Sequence, residues 1–524
     1  MPLGYMPCGE KPGDFTTSVR AERNMTPYQQ LVRLSRERAL VASCSEVLGW
    51  DELTYMPPGG VEHRGHQMAY LAGVEHSLAT DPRVADWLDE AAEAPPAADP
   101  TSAVAVNLRR WRRQHERLTR IPRKLIEEIA EVTAFAQNAW HDACQENEYR
   151  VFAPWLQKIV TLKQHEIRCH GDAEHPYDLL LDEYEINATT AQVATMFENL
   201  RQELTLLLQA IGDSSRLTSP AILQREFPVE RQKIFAETIA SDIGYDFRRG
   251  RIDATTHPFY AAIGPGDCRI TTRYNARDFG DAFFSMLHEL GHGLYEQGLD
   301  PEHYGTPFGE APSTGVHESQ SQLWEKMVGR LPAFWQYIFP RVREMFHDSL
   351  HHVTWRQFYE AVNHVEPSSN RVRADTVTYD LHILIRFELE QRLIDGSLLV
   401  DDLPLAWNDA YRRHLGVTPE DDLQGCLQDG HWSAAMFGYF PVYTLGNLYA
   451  AQFFAAAREA LGDLDRAIAR GDFRDLLDWL TRHIFAQGGA ADPAQLVERV
   501  TGRAPDYHDL VRLLWSRYEE IYQL

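Results

Sequence analysis

Two histidines and one glutamate are spaced in this sequence so that they could bind a metal ion and activate water. His288 and His292 are four residues apart, so on a helix both imidazoles project from one face and can bind the same tetrahedral Zn²⁺. Glu289 lies beside them, where its carboxylate could take a proton from water and pass it to a departing amine. This H-E-x-x-H spacing is typical of zinc peptidases, although a chain with 22 histidines could also contain it by chance.

The segment that carries this motif, Asn275 to Gly298, predicts an amphipathic helix. Asn275 or Asp278 could cap its start, and Gly298 could end it. Because a buried histidine needs a metal or a hydrogen-bond partner, the alternative to a metal site is a core helix with hydrogen-bonded histidines. The apolar residues that recur at helical spacing are Phe283, Phe284, Met286, Leu287, Leu290 and Leu294.

A catalytic zinc ion usually has three protein ligands and one open position, so a third ligand must come from elsewhere in the chain. The best candidate is Glu318, in a second helical stretch. It follows the motif closely enough for one helix to end, a loop to turn and another helix to pack alongside. His317 and Glu310 compete for the same role. The ordinary alternative for Glu318 is a solvated helix glutamate.

Several further sequence blocks occur in a fixed order along the chain, and together they resemble the carboxypeptidase Taq family of metallocarboxypeptidases. The resemblance extends from about residue 26 to residue 524. The sequence departs from the family at Arg373 and Thr376, where acidic residues are usual, and this bears on substrate preference. The matching blocks are Trp50-Asp51, His257-Pro258-Phe259, Asp267 to Thr271, His288 to His292, His317 to Gln320, Gly425 to Trp432 and Tyr443 to Gln452.

The resemblance implies an enzyme that releases single C-terminal amino acids from peptides bound in a deep groove, with broad specificity. His431 and Tyr443 lie in matching blocks and are candidates for stabilising the oxyanion. The alternatives are a core histidine beside a tryptophan and a tyrosine that belongs to an apolar run. The resemblance also implies that His257 and Phe259 line the groove, although they could simply pack at a strand end.

An exopeptidase must recognise a free carboxylate, and arginine is the best side chain for this because its planar fork pairs with both oxygens. Arg371 matches a family arginine that closes the groove, so we expect it to anchor the substrate carboxylate. Arg269 is a second substrate-binding candidate. A structural role, in which Arg269 pairs with Asp267 and holds the edge strand, is slightly favoured for it.

Helical periodicity dominates the rest of the chain, as in residues 191–211 and 476–485. Alternation of apolar and polar residues is scarce, and the clearest strand candidates, residues 251–260 and 268–274, flank the motif helix. With 524 residues, of which 44% are hydrophobic, the chain can bury a large core. The sequence therefore predicts a mainly α-helical protein: a single large helical unit with a small antiparallel sheet beside the motif helix.

Residues 1–24 fall outside the resemblance, and Met25 could be a natural start. We therefore expect residues 1–24 to be a disordered N-terminal extension and residues 25–524 to be the catalytic domain.

The formal net charge of −25 excludes nucleic acid as an expected partner, because a phosphate backbone would be repelled over most of the surface. No signal peptide is recognisable, and the one long uncharged run, Gly438 to Ala457, reads better as a buried helix than as a membrane span. Irregularly spaced cysteines indicate a reducing compartment, so we expect a cytoplasmic enzyme. The cysteines are Cys8, Cys44, Cys144, Cys169, Cys268 and Cys426.

Three functions remain open at this point. The first is a zinc carboxypeptidase acting on peptides with a free C-terminal carboxylate. The second is an endo-acting zinc oligopeptidase, and the third is a non-catalytic helical protein with a structural metal. A complete H-E-x-x-H argues against the third, because structural zinc sites rarely keep a general base and an open position. Co²⁺ is an alternative metal, and the resemblance implies a homodimer.

Overall fold

The computed structural model describes residues 25–171 and 173–524. The predicted N-terminal extension, residues 1–24, lies outside the described residues. The mainly helical fold with a small sheet is confirmed. The helices and strands are α1 (Pro27–Thr54), α2 (Val61–Ala79), α3 (Arg83–Ala92), α4 (Ala103–Arg120), α5 (Arg123–Glu146), α6 (Tyr149–His170), α7 (Asp178–Tyr184), α8 (Thr190–Asp213), α9 (Val229–Ile243), β1 (Gly250–Ala254), β2 (Tyr260–Gly264), β3 (Asp267–Thr272), α10 (Phe279–Gly298), α11 (Thr314–Gln322), α12 (Pro332–Met345), α13 (His347–Leu350), α14 (Trp355–Val362), α15 (Tyr379–Ile394), α16 (Leu403–Leu415), α17 (Pro441–Leu461), α18 (Leu464–Ile468), α19 (Arg474–His483), α20 (Pro493–Thr501) and α21 (His508–Tyr522).

The apolar faces of these helices meet in one large core and one small one. The large core takes side chains from α5 through α21, including the motif helix α10. The small core joins α1, α3 and α4 through residues such as Leu31, Leu88 and Leu108. None of the helices in residues 25–171 and 173–524 is both long and apolar enough to span a membrane. Gly438 to Ala457, the uncharged run, ends within the buried helix α17.

The small sheet has the strand order β1-β3-β2 and is mixed, so the prediction of an antiparallel sheet was wrong in this respect. β2 and β3 form an antiparallel hairpin around Gly266, whose φ of 87° suits the tight turn. β1 instead pairs with β3 in parallel. The segment after β1 crosses to the far edge of the sheet, so the chain returns through β2 before it reaches the central strand. Pro258 lies in that crossing segment, which divides the predicted strand 251–260 in two.

The motif helix α10 begins after Asp278, whose side chain accepts a hydrogen bond from Asp281 N at 3.0 Å. Asp278, and not Asn275, is therefore the N-cap, and the predicted end at Gly298 is confirmed. α10 packs against α11 through Gly291, where a Cβ would lie only 2.3 Å from the Gln320 carbonyl oxygen. This close approach brings the motif residues next to those of α11.

Candidate active site

The two motif histidines meet Glu318 where α10 and α11 pack together. Ligand atoms of His288, His292 and Glu318 all lie within 4.8 Å of one another, and we call these three residues the ligand group. His288 Nε2 is 3.7 Å from Glu318 Oε1, and His292 Nε2 is 3.5 Å from Glu318 Oε2. These distances are long for hydrogen bonds but close to the ~3.4 Å that separates tetrahedral ligands around one divalent metal ion. The donor set therefore fits a bound metal.

The two other candidates for the third ligand, His317 and Glu310, are not part of the ligand group. His317 Nε2 is hydrogen-bonded to Glu296 Oε1 at 2.8 Å, and its ring stacks on His292 with centroids 4.6 Å apart. Glu310 follows a short 3₁₀ turn after the loop and does not join the ligand group. Of the three candidates from the sequence, Glu318 is the one whose carboxylate faces both motif histidines.

Two side chains that the sequence analysis did not identify are hydrogen-bonded to members of the ligand group. Gln322 Nε2 donates to Glu318 Oε1 at 2.5 Å, from one turn further along α11. Glu325 Oε2 lies 3.0 Å from His288 Nδ1, the ring nitrogen that points away from Glu318. Glu325 belongs to a π-helical turn, Leu323–Val328, that continues α11. The four-residue spacing of Gln322 from Glu318 was a signal that sequence reasoning could have used.

Two members of the ligand group, His292 and Glu318, are in the protonation state that metal binding needs, whereas His288 must first lose a proton. Burial lowers the pKa of His292 to about 3, which keeps its imidazole neutral. Burial alone would raise the pKa of Glu318, but the imidazoles of His288 and His292 lower it to about 2. Burial would lower the pKa of His288, but Glu318 and Glu325 raise it to about 9. A metal ion would therefore displace a proton from His288 on binding.

Glu289, the predicted general base, is 6% exposed and lies on the same turn as the ligand histidines. Burial raises the pKa of Glu289 to about 7; the His288 imidazole opposes this rise and the Glu318 carboxylate adds to it. A carboxyl group that titrates near neutrality can both accept and donate a proton during one reaction cycle.

A second cluster brings together three residues that the sequence singled out separately. His431 Nε2 lies 3.1 Å from the Tyr443 hydroxyl. The guanidinium of Arg371 lies 5.1 Å from the centre of the Tyr443 ring and is hydrogen-bonded to Asp429. His431 keeps 17% of its side chain exposed, whereas the neighbouring Trp432 is buried. Burial lowers the pKa of His431 to about 4, so its imidazole is neutral.

Helix α17 connects this second cluster to the ligand group. A Cβ at Gly446 would lie 2.8 Å from Glu318 Cγ, and Tyr443 lies one turn earlier on the same helix. Tyr439, which sequence reasoning missed, packs its ring 5.4 Å from that of Tyr443. Burial and the nearby Glu318 carboxylate raise the pKa of Tyr439 to about 12, so its hydroxyl stays protonated. Both tyrosines are half-buried and keep part of their surface open to solvent.

The three remaining site candidates lie around the small sheet. Arg269 pairs with Asp267, with Nε and Nη2 at 2.9 and 2.7 Å from the carboxylate oxygens, and stacks 4.2 Å over the Trp50 ring. The pairing with Asp267 agrees with the structural role that the sequence favoured, but β3 is the central strand of the sheet and not an edge strand. His257 is exposed in the segment before β2, and the Phe259 backbone pairs with Thr271.

Tyr260, the residue after Phe259, lies against the ligand group. The Tyr260 ring lies 4.6 Å from the His292 ring and 4.7 Å from the His317 ring, centre to centre. Tyr260 therefore forms one wall of the site. Neither periodicity nor residue spacing in the sequence indicated this position of Tyr260.

Known proteins match this chain over nearly its whole length. A family model described as carboxypeptidase Taq (M32) metallopeptidase matches residues 30–518. Thermostable carboxypeptidase 1 of Thermus thermophilus is 46% identical over 510 residues, covering 95% of this chain and 100% of that protein. Carboxypeptidase 1 of Bacillus subtilis is 33% identical over 497 residues, covering 95% and 98%. The crystal structure of an M32 carboxypeptidase from Deinococcus radiodurans R1 has a TM-score of 0.91 at 39% identity, covering 95% and 100%. The chain therefore belongs to the carboxypeptidase Taq (M32) family of metallopeptidases.

Proposed function

We propose that this metallocarboxypeptidase is a zinc enzyme that removes one amino acid at a time from the free C-termini of peptides, with broad residue preference. The observation that carries this proposal is the ligand group of His288, His292 and Glu318 with the buried Glu289 beside it. Its two imidazoles and one carboxylate are the usual donors of a catalytic zinc site. Co²⁺ prefers similar ligands and is the alternative metal.

When bound by the ligand group, zinc would supply a Lewis acid that polarises the scissile carbonyl and makes water more acidic. Glu289 accepts a proton from the attacking water on a carboxylate oxygen and then donates it to the amine nitrogen of the departing residue. The Tyr443 hydroxyl, held by His431 Nε2 at 3.1 Å, donates a hydrogen bond to the carbonyl oxygen as it becomes negative.

Arg371 binds the C-terminal carboxylate of the substrate. It lies in the same cluster as His431 and Tyr443, so a carboxylate held there would keep the last peptide bond near the groups that cleave it. Arg373, the alternative anchor, is exposed, whereas Arg371 is buried. Desolvation strengthens a charge-assisted contact, which favours Arg371 for this role.

The test uses one defined peptide, prepared as the free acid and as the C-terminal amide. We expect the enzyme to shorten the free acid residue by residue and barely to cleave the amide, with products followed by mass spectrometry. Arg371→Ala should cost about 2–5 kcal/mol in kcat/KM on the free acid, a far larger effect than any change in zinc content or folding. Arg373→Ala is the matched control and should behave like the unmodified enzyme.

Two outcomes would contradict the carboxypeptidase proposal. Equal cleavage of the free acid and the amide would show that the carboxylate is not recognised. Internal fragments as first products would favour the second candidate, an endo-acting oligopeptidase with the same metal chemistry. Metal analysis of the purified protein separates zinc from cobalt.

We also infer a cytoplasmic location, a homodimer, and a catalytic unit formed by residues 25–524. The match of the family model to residues 30–518 supports the catalytic unit. The five cysteines in the described part of the chain are free, which supports a reducing compartment. The family resemblance supports the dimer. Sedimentation equilibrium of the full chain would test the oligomeric state.

A further inference from the structure

Asp429 lies between two arginines and is shared by both. Arg371 donates from Nε and Nη2 to Asp429 Oδ1, at 3.0 and 2.7 Å. Arg386 donates from Nε to Asp429 Oδ2 at 2.7 Å, and its Nη2 lies 2.5 Å from the same oxygen. One carboxylate therefore holds two guanidinium groups, one on each oxygen.

The two arginines that share Asp429 differ in whether a substrate can contact them. Arg386 is 0% exposed and is held on its other side by the His382 carbonyl and the Tyr411 hydroxyl, at 2.8 and 3.0 Å. Arg371 keeps 10% of its side chain exposed and lies against Tyr443. Its Nη1 has no hydrogen bond to the residues that the structure describes. A substrate could contact Arg371 but not Arg386.

Charge balance decides how strongly Arg371 can attract an anion. The guanidinium groups of Arg371 and Arg386 hold the pKa of Asp429 far below its usual range, against the effect of burial, so this carboxyl is ionised. The two guanidinium groups and the Asp429 carboxylate together carry a net charge of +1. Without Arg386, Asp429 would cancel the charge of Arg371, and the buried pair would present almost no field to a substrate carboxylate.

We propose that Asp429 and Arg386 are positioning residues for recognition of the substrate's C-terminal carboxylate: Asp429 fixes the Arg371 guanidinium, and Arg386 offsets the charge of Asp429 so that Arg371 keeps its own. Arg386 thus acts through two other residues and never touches the substrate. This inference rests on the proposed anchoring role of Arg371. A purely structural role for Arg386, whose guanidinium packs 4.6 Å from the Trp407 ring, is the alternative.

The experiment measures binding of one pentapeptide, as free acid and as amide, to the zinc-loaded protein with Glu289→Gln to prevent cleavage. Calorimetry gives the ratio of the two Kd values, which reports recognition of the carboxylate alone. Arg386→Gln should lower this preference for the free acid by at least about tenfold, because Asp429 then neutralises Arg371. Adding Asp429→Asn to Arg386→Gln returns the net charge to +1 and should restore the preference to within about threefold of the parent.

The matched control is Arg413→Gln, which changes an exposed arginine paired with Glu388 at 2.9 Å and should leave the preference unchanged. An unchanged preference in Arg386→Gln, or a double variant no better than the single one, would overturn the inference. Arg371→Ala separates this result from a failure of the proposed function: if that variant keeps the preference, Arg371 is not the anchor at all.

Arg386→Lys provides a second test in case Arg386→Gln does not fold. Arg386→Lys keeps the positive charge while losing the planar fork, so the preference should stay within about threefold of the parent if charge is what Arg386 supplies. A tenfold loss in folded, zinc-loaded Arg386→Lys would mean that the packing of the guanidinium matters and its charge does not.

Discussion

Gln322 and Glu318 lie one helical turn apart on α11, and the amide of Gln322 donates to the carboxylate oxygen that also faces His288. A hydrogen bond of this kind fixes the direction in which a ligand carboxylate points and tunes how strongly it binds metal. We therefore expect the geometry of the proposed metal site to depend on Gln322, a side chain outside the ligand group.

Replacing Gln322 with methionine keeps the volume of this buried side chain but removes the hydrogen bond to Glu318. We expect zinc affinity to fall about 10- to 100-fold, measured by competition with a chromophoric chelator. Gln320→Met is the matched control, because Gln320 is equally buried on α11 but its amide donates to Ser319. Equal zinc affinities in the two variants would show that Gln322 does not orient the ligand.

Glu289 is a single residue whose substitution should affect catalysis without affecting metal binding. Glu289→Gln keeps the side-chain shape but cannot accept a proton, so it should bind zinc normally and lose about 10²–10⁴-fold in kcat. Steady-state kinetics on a free-acid peptide, with zinc content measured in parallel, checks this expectation. Turnover near that of the unmodified enzyme would assign the proton transfer to another group.

At the scale of elements, the site depends on how closely α11 and α17 cross. Gly446 on α17 lies against the base of the Glu318 side chain: a Cβ added at Gly446 would be only 2.9 Å from Glu318 Cβ. An atom so close to the backbone cannot swing away as the tip of a flexible side chain could. The two helices would have to separate to accommodate any larger residue.

Gly446→Ala should therefore lower the free energy of unfolding by about 1–3 kcal/mol and also weaken zinc binding, because Glu318 moves with α11. Denaturant unfolding and chelator competition measure the two effects. Gly212→Ala on α8 is the control: nothing lies within 4 Å of the added Cβ, so neither quantity should fall. Loss of stability with unchanged zinc affinity would mean that α11 keeps Glu318 in place when the crossing widens.

At the scale of the whole molecule, Glu390 joins segments that are far apart in the chain. Its carboxylate accepts hydrogen bonds from the Tyr177 hydroxyl at 2.5 Å, Trp432 Nε1 at 2.7 Å and Gly438 N at 3.0 Å. Trp432 follows His431, so this buried carboxyl anchors the loop that carries part of the site. Burial raises the pKa of Glu390 to about 7, although all three donors oppose the rise.

This shift makes stability depend on pH in a defined direction. The folded pKa lies above the ordinary value of 4.5, so the folded protein holds this proton more tightly than the unfolded chain. The resulting stabilisation is complete below about pH 4.5 and is lost as pH rises through 7. The loss amounts to as much as roughly 3 kcal/mol.

Glu390→Gln cannot ionise, so it should lack this loss. We expect its stability deficit relative to the unmodified protein to shrink as pH rises from 5 to 8, measured as thermal midpoints across that range. Glu388→Gln is a contrasting control on the same helix, because His414 and Arg413 lower the pKa of Glu388. The stabilisation from Glu388 is complete above about pH 4.5 and is lost only as pH falls below that value, so its deficit should stay nearly constant from pH 5 to 8. A pH-independent deficit for Glu390→Gln would refute the assignment.

The sequence by itself determined the features that depend on local spacing. The i, i+4 arrangement of His288 and His292, the end of their helix at Gly298 and the helical character of the Glu318 segment all follow from neighbours within a few turns. Such features are set by backbone geometry, which the order of residues specifies directly. The family resemblance added the class of reaction, which comparison with known carboxypeptidases confirmed.

Only the tertiary structure decided which distant residues meet. That Glu318 and not His317 faces the motif histidines, that Tyr260 walls the site, and that Asp429 is shared by two arginines depend on contacts between elements far apart in the chain. Asp429 stood in a recognised motif, yet nothing in its neighbours indicated Arg386 as a partner. The parallel pairing of β1 with β3 also depends on the path of the chain between strands. Periodicity tells which face of an element is buried, but the packing of the whole core selects what that face touches.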